Sequence, residues 1–392
     1  MRRSLNALAG VILGILSVAS AGRAADDATA YQINPAHDGS IALSGGFTPP
    51  LTRAWVQNLH GSVSYPVIAN GLVFVNVGNN GVRYGSHFYA LRLNTGEIVW
   101  RKKIRGSYYW SATAYENGKV FVVNADGVVR AFTADDAGLV VWMRRLPCLG
   151  GTATSAPTAL NGYLYVACET RGVYALREDN GHIRWNSPIT VQESSPTLGD
   201  GGLYITDSGL YFKLDPTNGT TLWLDGGVDT NVGENSVYFD KHLYLRDELK
   251  GGDFVLDAGT GAIVAPAAFL QSPAFYQDAD GNQYEYAVID ANLYAVSVKT
   301  GTVLWSVLAK KTDYLVTAPI VVNGLVVVGS ASGKLYLLDG KTGALLWKDK
   351  VHGRFDGDSG TLTGLGAGDG MLLVPSGAIL TAYTPSVPGR KR

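Results

Sequence analysis

The sequence predicts an all-β fold: an eight-bladed β-propeller with four antiparallel strands per blade, the last blade closed by the N-terminal strand. The first observation behind this is a ladder. A glycine stands four residues before a tryptophan at Gly96/Trp100, Gly138/Trp142, Gly181/Trp185, Gly219/Trp223, Gly301/Trp305 and Gly343/Trp347. A seventh glycine, Gly261, is followed by Ala265 where the ring would stand. Successive columns lie 42, 43, 38, 42, 40 and 42 residues apart, and a period near forty marks a repeat architecture. The second observation is the pattern within each period, short strands joined by tight turns, in keeping with 49 glycines and 21 tyrosines. The third concerns the ends. Leu51-Thr-Arg-Ala-Trp55 is a tryptophan strand with no blade before it, and the final unit, Leu362 to Tyr383, has no tryptophan strand of its own.

In chain order, Arg2 and Arg3 precede an apolar run from Ala7 to Val18, and small residues then offer cleavage after Ala21 or Ala24. This is the pattern of a secretory signal peptide, residues 1–24. The run is too short to span a bilayer as a finished helix, and no cysteine lies near the cleavage site to carry a lipid. The mature protein is therefore expected in the periplasm or outside the cell, with no transmembrane segment. Residues 25–50 read as an extended lead-in, 51–384 as the propeller and 385–392 as a basic tail. The formal charge is −1, and cleavage removes arginines, so there is no basic field to bind nucleic acid. A monomer is expected.

The third unit shows how a blade is written. Ser155-Ala-Pro157-Thr-Ala-Leu160 is a strand, Asn161-Gly162 a two-residue turn and Tyr163-Leu-Tyr-Val-Ala-Cys168 the returning strand. Asn-Gly between such runs is a strong hairpin signal, because a type I′ turn needs positive φ at both positions. Val173-Tyr-Ala-Leu-Arg177 is a third strand, and Asp179-Asn180-Gly181 turns the chain into His182-Ile-Arg-Trp185. First strands recur near Tyr65, Ser111, Ser155, Ser195, Asn235, Ser272, Thr317 and Gly360. An alanine ten residues before Trp100, Trp185 and Trp305 leaves room for a ring. The fifth unit lacks both the ring and a Ser-x-Pro start, and it carries the charged stretch Arg246-Asp-Glu-Leu-Lys250. It reads either as a partner-docking edge or as drift.

The runs Ala295-Val-Ser-Val-Lys-Thr-Gly301-Thr-Val-Leu-Trp305 and Leu335-Tyr-Leu-Leu-Asp-Gly-Lys-Thr-Gly343-Ala-Leu-Leu-Trp347 resemble the tryptophan-docking repeat of quinoprotein-like propellers, the pyrroloquinoline quinone (PQQ) repeat family. The resemblance covers residues 51–384. The opening Tyr31-Gln-Ile-Asn-Pro-Ala-His37-Asp-Gly39 is similar to the lead-in of secreted bacterial members. The resemblance implies one of two activities. Some members are calcium- and PQQ-dependent alcohol or sugar dehydrogenases. Others bind no cofactor and act as scaffolds, such as the propeller subunit of the outer-membrane β-barrel assembly machinery. The dehydrogenases resemble one another in a disulfide between adjacent cysteines, whereas this chain has only Cys148 and Cys168, and no Cys-x-x-Cys-His haem attachment. The expectation is an exported, non-enzymatic scaffold without a cofactor that binds an envelope or extracellular protein or a small ligand. The alternative is a quinoprotein oxidoreductase using PQQ and calcium on an alcohol or sugar.

Strand direction places the loops before first strands and after second strands on one face, where a concave funnel is the default binding site. The ligand-binding candidates there are Arg83, Tyr109, Trp110, Glu193, Glu234, Asn235, Tyr314, Arg354 and Asp356, with His87, Arg171, Asp290 and Asp313 on the same face. Cys148 and Cys168 also fall there. In an oxidising compartment they form a disulfide, or they stay unpaired with Cys168 packed in its strand. Asp278, Asp280 and Asn282 have the acidic spacing of a calcium loop but not its glycine placement, and they fit an ordinary turn equally. No catalytic residue is singled out, and the six histidines show no zinc-like pairing.

Overall fold

The structure, a computed structural model, describes residues 26–78, 86–104, 111–124, 126–148, 155–168, 171–189, 191, 194–207, 210–226, 235–245, 253–267, 271–309, 312–355 and 364–386. These form eight sheets and, among the described residues, no helix. Blade one comprises the strands Val67–Ala69, Leu72–Gly78, Ser86–Arg92 and Ile98–Ile104, paired in that order. Blades two to seven repeat the arrangement over residues 111–145, 158–187, 197–226, 237–267, 274–307 and 320–350. Blade eight takes its outer strand, Leu51–Asn58, from the other end of the chain, in register from Leu51 opposite Pro385 to Asn58 opposite Ile379. The expected eight blades and closing strand are thus observed.

The first hairpins turn as the sequence predicts. Asn70, Asn117, Asn161 and Asn323 have φ of 50–57° and each precedes a glycine that also has positive φ. Blade five departs again: Lys241 takes the glycine position at φ 67°.

The apolar core lies in the clefts between blades, and the ladder explains how each cleft is closed. A glycine and the tryptophan four residues later do not touch each other. Instead, six indoles reach across to the next blade. Each N–H donates to a carbonyl three residues before that blade's ladder glycine: Trp55 to Leu93 O (2.7 Å), Trp100 to Asp135 O (2.8 Å), Trp142 to Glu178 O (2.7 Å), Trp185 to Pro216 O (3.0 Å), Trp223 to Ala258 O (3.2 Å) and Trp305 to Gly340 O (2.8 Å). The ring then lies against the glycine itself. A Cβ on Gly181 would stand 2.4 Å from the Trp142 ring, and one on Gly96 2.5 Å from that of Trp55. The glycine is therefore required twice, for positive φ in its turn and as a bare surface for the neighbouring ring. Within their own sheets several rings stand opposite an alanine, Ala90 for Trp100, Ala175 for Trp185 and Ala295 for Trp305, while Trp223 faces Lys213 and Trp347 faces Leu337. Burying an indole stabilises by about 2–3 kcal/mol and its hydrogen bond by about 1 kcal/mol more.

Residues 26–43 have a role that the sequence did not reveal. They run along the inner strands and bond to almost every blade in turn. Blade N–H groups donate to lead-in carbonyls: Asp369 to Asp26, Ile68 to Ala28, Tyr115 to Thr29, Leu198 to Pro35, Tyr238 to Ala36, Phe275 to Asp38 and Val321 to Gly39, all between 2.8 and 3.1 Å. Blade three is met through a side chain: the fully buried His37 ring lies 3.4 Å from Thr158 Oγ1 and 3.1 Å from Thr197 Oγ1 of blade four. Ser40–Ile41 then pairs in parallel with Ile320–Val322, adding a fifth strand to blade seven. The path needs left-handed backbone at Gln32 (φ 49°), Ile33 (φ 76°) and His37 (φ 58°). Asn34 Nδ2 donates to Asp38 Oδ1 (2.7 Å), as does the Ser40 N–H (2.8 Å), which locks the loop on itself. These contacts fall near the first hairpins, so the plug closes the central channel on the side opposite the funnel face.

Two outcomes follow for stability. Gly181→Ala should cost both the left-handed conformation and an overlap with Trp142, about 2 kcal/mol or more. Gly301→Ala, with nothing within 4 Å of the added methyl, should cost only about 1 kcal/mol. Denaturant unfolding of the two variants checks the difference, and equal losses would refute the double role of the glycine.

The second outcome concerns pH. Burial holds the His37 imidazole down at about 4 against an ordinary 6.5. The unfolded chain binds the extra proton between those values, so this contribution to stability is complete above pH 6.5 and is lost as pH falls through the window. Burial pushes Asp38 up to about 6 from 3.8, against its hydrogen bonds from Asn34 and Ser40. Its contribution has the opposite sign, complete below pH 3.8 and lost as pH rises to 6. Asp38→Asn removes that opposing slope. Its melting temperature should fall more steeply than the wild type's on acidification from pH 7 to 5, by up to about 1.4 kcal/mol per pH unit. Parallel curves would count against this reading of the plug.

Candidate functional site

The funnel face is built on polar ties between neighbouring blades. Asn235 leads into the inner strand of blade five, and its Oδ1 accepts the Ser195 N–H of blade four at 2.8 Å. Ser195 Oγ in turn accepts the Ala156 N–H of blade three at 2.8 Å. Thr158 and Thr197 hydroxyls donate to Pro196 O (2.6 Å) and Ser236 O (2.9 Å), one blade further on in each case. Between blades one and two, Asn76 Nδ2 donates to Thr113 Oγ1 (2.6 Å), and Tyr65 OH donates to Thr113 O (2.6 Å). Thr113, Thr158, Ser195, Thr197 and Asn235, in or just before inner strands, are used to bond the adjacent blade. Asn235 thus belongs to this ring of ties.

Tyr314 and Arg354 flank blade seven on the same face, and both are exposed. Asp313, beside Tyr314, is buried. Its Oδ1 accepts the Ser332 N–H (3.1 Å) and its Oδ2 lies 2.5 Å from Lys334 Nζ. Burial alone would raise this carboxyl, but the Lys334 ammonium and the serine donors outweigh it and hold it well below the usual carboxylate range. His87 is held below its ordinary value by burial and then by the charges of Arg101 and Lys103. Asp290 and Arg171 are exposed. Arg83, Tyr109, Trp110, Glu193, Glu234 and Asp356 lie outside the described residues.

Cys148, beyond the outer strand of blade two, and Cys168, at the end of a blade-three strand, are joined as a disulfide with Cα atoms 5.6 Å apart. The bond ties two blades on the funnel face.

Asp278, Asp280 and Asn282 lie in the first hairpin of blade six, on the opposite face from the funnel. Asp278 Oδ1 accepts the N–H groups of Asp280 (3.0 Å) and Asn282 (2.9 Å), and Oδ2 accepts Asn282 Nδ2 and the Tyr284 hydroxyl (both 3.2 Å). Lys341 Nζ of blade seven sits 2.6 Å from Oδ2, so an ammonium stands where a metal cation would. The Lys341 bond above all holds this carboxyl well below its usual range.

A bound PQQ with calcium would need a planar slot and a set of oxygen ligands. Among the described residues there is no group of three or more His, Cys, Asp or Glu side chains that could hold a metal ion. Asp313 is already paired with Lys334. The cysteines lie 20 residues apart rather than adjacent. The described residues do not fit the cofactor, and no chemical step is derived through it. Most of what sequence reasoning missed lies in the plug, whose only outward signs were Gly39 and the Asn-Pro-Ala-His-Asp string.

Comparison with known proteins places this architecture. A family profile described as outer membrane protein assembly factor BamB matches residues 48–201 and 206–380. The BamB of Yersinia pestis is 23% identical over 309 residues, covering 76% of this chain and 66% of its own length. The chain thus spans just under two thirds of the length of the first curated relatives it matches. Among solved structures, BamB from Moraxella catarrhalis superposes with a TM-score of 0.64 at 16% identity, covering 86% of this chain and 100% of that one. A europium-containing methanol dehydrogenase gives 0.69 at 15% identity, covering 89% and 88%. At such identities these likenesses show the fold alone. With the family profile matching most of its length, the chain belongs to the outer membrane protein assembly factor BamB family of PQQ-repeat propellers.

Proposed function

We propose that this protein is an exported, non-enzymatic propeller that presents a rigid face to a protein partner in the cell envelope. The observation that carries the reading is the family match along nearly the whole propeller, joined to a funnel face whose described polar groups are largely spent on ties between blades. A catalytic site needs groups free to meet a substrate, whereas a docking surface needs rigidity and exposed side chains such as Tyr314 and Arg354. Export is supported by the signal-like first 24 residues and by the Cys148–Cys168 pair, a type of bond that persists in oxidising compartments. Among the described residues no helix is long and apolar enough to cross a membrane.

The mature protein, immobilised and exposed to envelope extract, should retain a specific set of envelope proteins, and Tyr314→Ala with Arg354→Ala should weaken that capture about tenfold or more. Titrated with PQQ and calcium, it should show no stoichiometric uptake and no dye-linked turnover on alcohols or sugars. Uptake with turnover would overturn the scaffold reading in favour of a quinoprotein oxidoreductase.

Protein recovered from the envelope without reductant should show no free thiol, and replacing both cysteines with serine should lower stability by roughly 3 kcal/mol. Two titratable thiols in the exported protein would contradict the oxidised placement.

A further inference from the structure

The fifth blade leaves an unfilled place in the outer wall. Ala265 stands opposite Val255 in the same register in which Trp100 stands opposite Ala90. The ladder glycine that its missing ring would cover is Gly301 of blade six. At Gly96, Gly138, Gly181, Gly219, Gly261 and Gly343 an added Cβ would strike the preceding blade's indole at 2.4 to 2.8 Å. At Gly301 nothing among the described residues lies within 4 Å, so none of their side chains has moved in. Gly301 is accordingly exposed, while Gly96, Gly138, Gly181, Gly219 and Gly261 are buried. Val298, three residues before Gly301, holds the position whose carbonyl accepts an indole N–H at six other columns. Half-buried Phe239, Ala265, Ala267, Ile289 and Val298 pack against a buried cluster that includes Tyr244, Val255 and Phe275.

The chain itself shows what fits such a place, because it fills the equivalent ones with indoles. Ala265 keeps the Cβ from which a ring would hang, so what is missing is the indole alone. We propose that this slot is a binding site for a free indole ring, unsubstituted at carbon 3, lying on Gly301 and donating its N–H to Val298 O. A small aromatic ring laid on such an uncovered apolar surface buries one of its faces there, and the open carbonyl at the edge pairs its N–H. A tryptophan side chain offered by a peptide brings its own Cβ at carbon 3, and that carbon would overlap the Ala265 methyl. The slot therefore selects the free ring over the side chain. This inference is independent of the scaffold reading.

Calorimetric or NMR titration of the mature protein with indole should show one saturable site with a Kd on the order of a millimolar or tighter. 1-Methylindole, which cannot donate to Val298 O, should bind about fivefold more weakly. N-acetyltryptophanamide should not compete. Ala265→Trp should raise the melting temperature and abolish uptake by filling the slot from within. Gly301→Ala, which places a methyl in the plane of the ring, should abolish uptake without depending on that repacking. No binding by the wild type, undiminished binding by either variant, or equal competition from N-acetyltryptophanamide would each overturn the proposal.

Discussion

The structure depends on a single contact made again and again: an indole of one blade laid on a bare glycine of the next and anchored by its N–H to a backbone carbonyl. A four-stranded sheet of this size has two apolar faces and cannot bury either alone. The contact joins six of the eight sheets to their successors at the rim, while Ser, Thr and Asn side chains join inner strands near the funnel. Closure makes the pattern circular. Leu51–Asn58 completes blade eight and also delivers Trp55 onto Gly96 of blade one. One strand thus both ends the last sheet and begins the ladder. At blade seven the rule is relaxed: Trp347 meets Tyr383 edge-on, with ring centroids 5.2 Å apart.

The parts of the fold legible in the sequence are those written locally. Asn-Gly hairpins, alternating strands and the forty-residue period each depend on neighbours in the chain, and each appears as read. The ladder was legible as a repeat but not as a contact, because Gly96 and Trp100 are close in sequence while Gly96 and Trp55 are close in space. The lead-in was legible as a segment, but its role as a plug was not. Residues 26–43 have no periodicity, and their partners are single backbone groups on separate blades, which leave no compositional trace. Among the site candidates, Asn235 carried the right polarity for a funnel face but a structural use, since an amide that bonds a ligand and one that bonds the next blade look alike in a sequence. Asp278 was ambiguous for the same reason, and its partner Lys341 lies on a different blade.

The two faces of the molecule are accordingly different in kind. On the hairpin side the channel is closed by a buried loop, and blade-to-blade ion pairs such as Lys341–Asp278 occupy the charged groups. On the funnel side the disulfide and the polar ties hold the frame, leaving Tyr314 and Arg354 exposed at its edge. A BamB-family propeller built this way offers variety only where its repeats differ, and function must be located against a background that is otherwise periodic.

The plug also sets the order in which the molecule can be finished. Residues 26–58 find partners in Asp369 and the strand Ile379–Pro385, more than three hundred residues further along the chain. Contacts across such separations close slowly, because the intervening chain must first be brought to hand. The blades in between can form from neighbours as they emerge, but the ring stays open until the carboxyl-terminal blade arrives. Until then, the earliest part of the chain waits with unpaired carbonyls and the first and last sheets keep open edges. A chain with this topology reaches its stable form only once its eighth blade is in place.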